Sequence, residues 1–460
     1  MQKLFGTDGI RDKIDSQIFK ENFLINFSIQ IELYLRNYIL NKYKNRLLKN
    51  DYINIAISRD TRLSGISIQK ILTDAFMVIG INSNLKVFNY EVLPTPLFAN
   101  VIMSKYDLGI MITASHNPYT DNGIKIFNEF GEKISKNDEL LIEPLLHKKL
   151  PEDTKNNFYK SYNIFKNKKI RYADYDFTSH YPNFTLKPMS VVIDSANGAT
   201  SGFVNNVFTS VKRFIYNNNP DGKNINLNCG SEYPEEIAKK VLENNADIGI
   251  AFDGDGDRLT IIDEKGNILT GDHIMSICAK YYLDNNLLKN KILVTTCMSN
   301  LGLTNTMKNL GISLIITDVG DRNVANAMNE YNAILGGENS GHIIFKEYCS
   351  SGDGMLTALI LLNILSTSNQ SLSELASILD IYPQKLINIP ITSKPSLKSL
   401  VSLNALIELA EDEFNSKGRV LVRYSGTELI CRVMVEGENE KLVNYHSKNI
   451  SNEVGKLIGL

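Results

Sequence analysis

The sequence predicts an α/β protein: three tandem related α/β domains with mixed, largely parallel sheets, then a smaller C-terminal α+β domain, around a central cleft. Three observations carry this. At 460 residues the chain is longer than one ordinary core organises. Apolar runs alternate with helical periodicity, as in parallel strands covered by helices. One pattern also recurs. Asp107-Leu-Gly-Ile-Met-Ile-Thr-Ala-Ser115 resembles Asp247-Ile-Gly-Ile-Ala-Phe-Asp-Gly-Asp255, and Ala333-Ile-Leu-Gly-Gly-Glu338-Asn-Ser-Gly-His342 is a weaker third copy.

In chain order, Asn22–Leu48 has helical periodicity and Ile53–Ser58 reads as a strand, followed by the polar turn Arg59-Asp60-Thr61-Arg62. Ser67–Gly80 and Ser83–Phe88 give the next helix and strand. Each copy of the repeat follows an amphipathic helix: one from Pro96, one from Pro234 to Asn245, one near Asn323–Asn329. Phe165–Lys187 reads as a connection, Lys187–Ser195 as a new strand and Asp194–Thr200 as a loop. Ile274–Tyr282 reads as a helix and Leu356–Leu365 as a buried one. From Pro383 the pattern changes: strands at Leu386–Pro390, Arg419–Val422 and Cys431–Glu436, with a helix at Leu400–Asn415. The expected domains are 1–160, 161–268, 269–382 and 383–460.

Composition narrows the function. A formal net charge of -2 offers no basic excess to hold nucleic acid. No apolar run is read as long enough for a membrane span, and the N-terminal residues lack the apolar stretch of a signal peptide. The five cysteines are scattered without CxxC spacing, which argues against zinc and a disulfide framework and for a reducing cytoplasm. GxxxxGK[ST] and GxGxxG are absent, so those nucleotide-binding frameworks are unsupported.

Chemistry concentrates in loops after apolar strands. In Asp253-Gly-Asp255-Gly-Asp257-Arg258, three carboxylates alternate with glycines that let them converge. Their mutual repulsion is offset most simply by a hard divalent cation. An EF-hand would need Gly where Arg258 stands, and helices where the flanks read as strands. Arg258, beside such a cluster, suits an anionic ligand such as phosphate. Thr113-Ala-Ser115-His116-Asn-Pro118 exposes a hydroxyl, with His116 placed to orient it or meet phosphate; a hydrolase elbow is absent. Lys125 and Arg11 are cations in polar loops. Gly320-Asp321-Arg322 and Gly337–His342 offer polar groups, and Glu338 suits sugar hydroxyls. Arg423-Tyr-Ser425-Gly426-Thr427, with Arg432, suits a phosphate cradle.

Together FGTDGIRD, TASHNPYTDNGIKIF, NINLNCGSEYPE, GIAFDGDGDR, TDVGDRN, GGENSGH and RYSGTE resemble the α-D-phosphohexomutase superfamily, in order from residue 5 to residue 428. FGTDGIR, VGDR and GENSGH lean toward its glucosamine branch. The resemblance implies four domains around one cleft and a phosphorylated Ser115. It implies Mg²⁺ held by Asp253, Asp255, Asp257 and the Ser115 phosphate, with Arg258 beside that phosphate. Glu338, Ser340 and His342 would face the sugar. Arg423, Ser425, Gly426, Thr427 and Arg432 would grip the substrate's other phosphate. Arg11, Lys125 and His342 would serve proton transfer and charge stabilisation, with His116 at the catalytic serine.

The implied activity interconverts glucosamine 6-phosphate and glucosamine 1-phosphate, toward UDP-N-acetylglucosamine. A glucosamine or glucose 1,6-bisphosphate would be intermediate or activator. The implied partner is a small hexosamine phosphate, not nucleic acid or membrane. Phosphomannomutase or phosphoglucomutase activity is the alternative within the superfamily. A silent sugar-phosphate binder and a metal-dependent phosphatase are the alternatives outside it. Two positions depart from the usual pattern: Asp12 replaces a Gly, and Leu429 replaces a Pro.

Overall fold

The first sheet comprises β1 (Ile10–Lys13), β2 (Ile53–Arg59), β3 (Leu85–Val92), β4 (Leu108–Ile112) and β5 (Asp121–Asn128), in the order β1-β5-β4-β2-β3. The second comprises β6 (Ser190–Asp194), β7 (Lys212–Tyr216), β8 (Ile248–Phe252), β9 (Leu259–Asp263) and β10 (Ile268–Leu269), in the order β10-β9-β8-β6-β7. The third comprises β11 (Ile292–Thr296), β12 (Ser313–Thr317), β13 (Leu335–Gly337) and β14 (Ile343–Phe345), in the order β12-β11-β13-β14. This computed structural model describes residues 3–6, 8–42, 52–81, 83–148, 152–165, 169–177, 179–425 and 429–460.

The recurring sequence pattern is a recurring topology. β4, β8 and β13 each lie between a parallel neighbour (β2, β6, β11) and an antiparallel one (β5, β9, β14). Every residue of β4, β8 and β13 is buried, as expected of strands covered on both faces. Their preceding helices are Thr95–Lys105, Glu235–Asn244 and Asp321–Glu330. Each of these strands delivers its C-terminal end to one loop: Ser115 after β4, the aspartates after β8, Glu338 after β13. Ligands gather at that end of parallel strands.

The first sheet packs against Glu21–Lys42 and Leu63–Gly80 through Phe27, Ile31, Leu72 and Phe76. The helix expected over Asn22–Leu48 is seen to Lys42; residues 43–48 lie outside the described residues. Contrary to the sequence expectation, Leu63–Gly80 is long and apolar enough to cross a membrane by length and composition. Its buried Ile68, Leu72 and Phe76 belong instead to the first sheet's core, which accounts for the apolar run. Gly354–Thr367 is buried almost throughout, as expected.

Two compact units emerge: Met1–Thr296 with Ile315–Ala376, and Cys297–Leu314 with Ser377–Leu460. In the second, β15 (Gln384–Pro390), β16 (Gly418–Tyr424) and β17 (Ile430–Gly437) form an antiparallel sheet, β15-β17-β16, backed by Val401–Phe414 and Glu440–Ile458. Residues 297–314 belong here, although the expected third domain spans them. Asn300 Nδ2 donates to Glu436 Oε2 (3.1 Å) and the Tyr382 carbonyl (3.0 Å), and Arg419 donates to the Ser299 carbonyl.

Candidate active site

Ser115, whose hydroxyl was expected to be exposed, is fully buried, because its loop packs against the acidic loop after β8, and it holds a left-handed backbone, φ 52°. Its amide donates to Thr113 Oγ1 (2.9 Å), and Thr113 Oγ1 donates to Asp60 Oδ2 (2.7 Å). Its Oγ donates to Asp253 Oδ2 at 2.7 Å, so the loops after β4 and β8 meet. Gly254 permits the approach: a Cβ there would stand 2.7 Å from the Ser115 carbonyl oxygen. His116 Nδ1 lies 3.4 Å from Ser115 Oγ and accepts from Arg258 Nη1 at 3.1 Å. Burial first, then Arg258 and Arg11, push its pKa down to about 3, so the imidazole is neutral.

Asp253, Asp255 and Asp257 are all buried, and each offers a carboxylate oxygen within 4.8 Å of the others. The turn is framed by β8 and β9, not by EF-hand helices. Burial, then Asp257 and Asp255, push the Asp253 carboxyl well above the usual range. Burial acts the same way on Asp255, but Lys125 and Thr95 overrule it and hold that carboxyl low. Asp255 Oδ1 and Asp257 Oδ1 are buried without a hydrogen-bond partner. Orphaned hard oxygens pointing together suit a divalent cation.

Lys125 Nζ lies 2.8 Å from Asp255 Oδ2 and 3.1 Å from both Asp257 Oδ2 and Asp8 Oδ2. Burial opposes its charge, but Asp255, Asp257 and Asp8 outweigh it and raise its pKa well above the usual value. The alternation continues. Asp8 also pairs with Arg11 and Lys133, Lys133 pairs with Asp321, and Asp321 Oδ2 lies 3.6 Å from His342 Nε2. Lys125 and Arg11, expected in polar loops, lie on β5 and β1, and residues from all three sheets and their connections share one run of alternating charge. Arg11 Nη1 donates to the Ala114 carbonyl (3.2 Å), beside Ser115. Alternation along β1 turns Asp12 to the opposite face, where it accepts from the Lys13 amide, so this departure stays clear of Arg11's contacts.

Past β13, Glu338 is buried and accepts from the Gly320 amide at 3.1 Å. His342 is buried with both ring nitrogens lacking a hydrogen-bond partner; Gly352 lies against the ring, where a Cβ would come within 2.6 Å. Ser340 is exposed. In the second unit Arg423 and Arg432 are direct cross-strand partners, and the Ser425 carbonyl accepts from Lys394 Nζ at 2.6 Å. Like charges placed opposite each other favour an anionic ligand between them. Gly426 and Thr427 lie outside the described residues; Leu429 is exposed.

Several site residues escaped the sequence reading, namely Asp8, Asp60, Arg62, Thr95, Lys133 and Asn226, while Asp321 was read only as a polar group of its loop. Each bonds a predicted residue or its loop, or extends the charged run from Asp8. Asp8, Asn226 and Asp321 stood inside quoted motifs, and Asp60 and Arg62 in a charged turn at a strand's C-terminal end. Lys133, in a turn after β5, had no local signal.

Three α/β domains with this recurring topology and a C-terminal sheet make the fold that of a phosphohexomutase, and comparison with known proteins agrees. Family models described as phosphoglucomutase/phosphomannomutase α/β/α domains I, II and III match residues 2–152, 171–266 and 270–382; the C-terminal domain model matches 386–451. The chain belongs to the phosphoglucomutase/phosphomannomutase family.

Within it, the chain is similar to the phosphoglucosamine mutase of Syntrophus aciditrophicus, 38% identical with 100% of both chains covered. It is also similar to that of Limosilactobacillus reuteri, 40% identical with 97% of both covered. The fold resembles a family protein from Burkholderia thailandensis (TM-score 0.75, 20% identity, 100% of both chains). It also resembles the Aspergillus fumigatus N-acetylphosphoglucosamine mutase solved with GlcNAc-6P and magnesium (TM-score 0.65, 16% identity, 99% of this chain and 96% of that one).

Proposed function

We propose that this chain is a phosphoglucosamine mutase that interconverts glucosamine 6-phosphate and glucosamine 1-phosphate through phospho-Ser115 and glucosamine 1,6-bisphosphate. The observation that carries this is the Ser115 hydroxyl bonded to Asp253 within a triad whose other members keep orphaned oxygens. The full-length relatives named above support the substrate.

In the first step the bond from phosphorus to Ser115 Oγ breaks and one to the sugar O1 forms, while the O1 proton leaves. The bisphosphate then turns over. Its 6-phosphoryl returns to Oγ, and a proton ends on O6. Asp253, Asp255 and Asp257 would hold Mg²⁺, which would supply electrostatic stabilisation of the phosphoryl group's charge. Arg258 and Arg11 flank Ser115 and face the same charge. Neutral His116 orients the hydroxyl. Lys125, Arg11 and His342 are the proposed groups for proton transfer and charge stabilisation; His342 is suited by its two unpartnered ring nitrogens. Glu338, Ser340 and His342 meet the sugar. Arg423, Arg432, Ser425, Gly426 and Thr427 grip the phosphate that is not reacting.

A hexosamine phosphate of cytoplasmic amino-sugar metabolism is the partner this reading requires, with a 1,6-bisphosphate priming Ser115. We propose 1–160, 161–268, 269–382 and 383–460 as the domains of the sequence, although residues 297–314 of the third pack within the second compact unit. A panel of glucosamine, mannose and glucose phosphates tests the reading. Glucosamine phosphate should be isomerised fastest, and Ser115→Ala should abolish that activity. Equal or better turnover of mannose phosphate, or an active Ser115→Ala variant, would reject it.

A further inference from the structure

Arg62 is fully buried and every one of its N–H donors is used. Nε donates to Asp60 Oδ2 at 2.9 Å. Nη1 donates to the carbonyls of Pro118 and Asp121, the latter at 3.1 Å. Nη2 donates to those of Ser115 (2.9 Å) and Asn117 (2.7 Å). From the second sheet's loops, Asn226 Nδ2 donates to the same Ser115 and Asn117 carbonyls, at 2.8 and 3.0 Å. Two residues from different domains thus converge on the backbone of the serine loop.

A left-handed backbone is unfavourable for a non-glycine residue, so Ser115 holds it only because its surroundings over-determine it. Capturing the carbonyl leaves the Oγ directed at Asp253. Asp60 completes the frame, because it pairs with Arg62 and accepts from Thr113, which in turn holds the Ser115 amide.

We infer that Arg62 and Asn226 are positioning residues for phosphoryl transfer, clamping the carbonyls of residues 115 and 117 so that the reacting oxygen faces the carboxylate triad. Both act through the loop backbone and not on the transferred group itself. The inference rests on the mutase reading, since it assigns these side chains to the step at Ser115 Oγ. Lysine keeps the charge opposite Asp60 but is a point donor that cannot reproduce the planar fork.

The test is steady-state kinetics of bisphosphate-primed wild type, Arg62→Lys and Asn226→Ala on whichever hexose phosphate the wild type isomerises. Folding is checked by circular dichroism, and released inorganic phosphate is counted against isomerised sugar. Displacing the reacting oxygen by about 1 Å costs roughly a hundredfold, so Arg62→Lys should lower kcat at least about tenfold with KM within about twofold. Asn226→Ala should lower kcat about fivefold by the same argument. In both, phosphate release per isomerisation should rise, which a loss of stability alone would not cause. A folded Arg62→Lys enzyme with kcat within about twofold of wild type would overturn the inference. If Arg62→Lys does not fold, unchanged kcat and phosphate release in Asn226→Ala would overturn it instead. A wild type that isomerises no hexose phosphate would reject the functional reading, an outcome separate from either.

Discussion

Lys125 Nζ sits 2.8 Å from Asp255 Oδ2, a buried ammonium against one of the three clustered carboxylates. Three negative charges within so small a volume are untenable alone, and Lys125 offsets part of them from the neighbouring domain. Asp255 Oδ1 and Asp257 Oδ1, buried without a hydrogen-bond partner, mark where a cation is still wanted.

Chelation should therefore silence the enzyme. Electrostatic stabilisation of a transferring group of this kind is worth roughly a hundredfold or more in kcat. Activity after EDTA treatment should fall by that order and return on adding Mg²⁺. Asp255→Asn should bind Mg²⁺ more weakly by calorimetry, because one ligand charge is gone.

Replacing Lys125 with Met should destabilise the protein by about 3–5 kcal/mol, since it takes the ammonium from the buried carboxylates of Asp255 and Asp257. Urea unfolding reads this directly. Added Mg²⁺ should recover part of the loss by binding the folded state. Stability equal to wild type would show that the pairs with Asp255, Asp257 and Asp8 contribute nothing.

Arg423→Ala should act on binding more than on chemistry. A charge-assisted hydrogen bond to phosphate contributes about 1.5–3 kcal/mol, so KM should rise roughly ten- to hundredfold. Its cross-strand partner Arg432 should behave alike. A kcat loss without a change in KM would place these arginines elsewhere in the cycle.

His273 provides a pH prediction away from the reacting groups. Its Nδ1 accepts from the Thr270 amide at 3.1 Å, capping the helix Gly271–Asp284, and burial pushes its pKa down from 6.5 to about 4. Between those values the unfolded chain takes up a proton that the folded protein refuses. Stability is then fully present above about pH 6.5 and declines toward pH 4, by at most about 3 kcal/mol from this residue. His116 adds its own contribution in the same direction. Urea titrations at pH 7.5 and 5 should show a smaller pH dependence for His273→Asn than for wild type.

Much of this protein is local and was therefore legible. The apolar runs before Ser115, Asp253 and Glu338 reported strands buried on both faces, and their repetition reported three similar α/β units, whose sheets share a four-strand core order. The acidic Asp-Gly turn reported three carboxylates brought close enough together to hold a cation, because alternating glycines let neighbouring side chains converge. The resemblance to known mutases supplied the remaining expected roles.

The partnerships were decided only in three dimensions. Nothing in residues 59–62 says that Arg62 spends its donors on the serine loop. Nor does the turn after β5 say that Lys133 joins Asp8 to Asp321. The apolar helix Leu63–Gly80 satisfies a membrane criterion by composition, and only its packing shows that it belongs to a core. Sequence periodicity records which side of an element is buried. Which charge meets which depends on how distant loops converge, and that is set by the packing of whole domains.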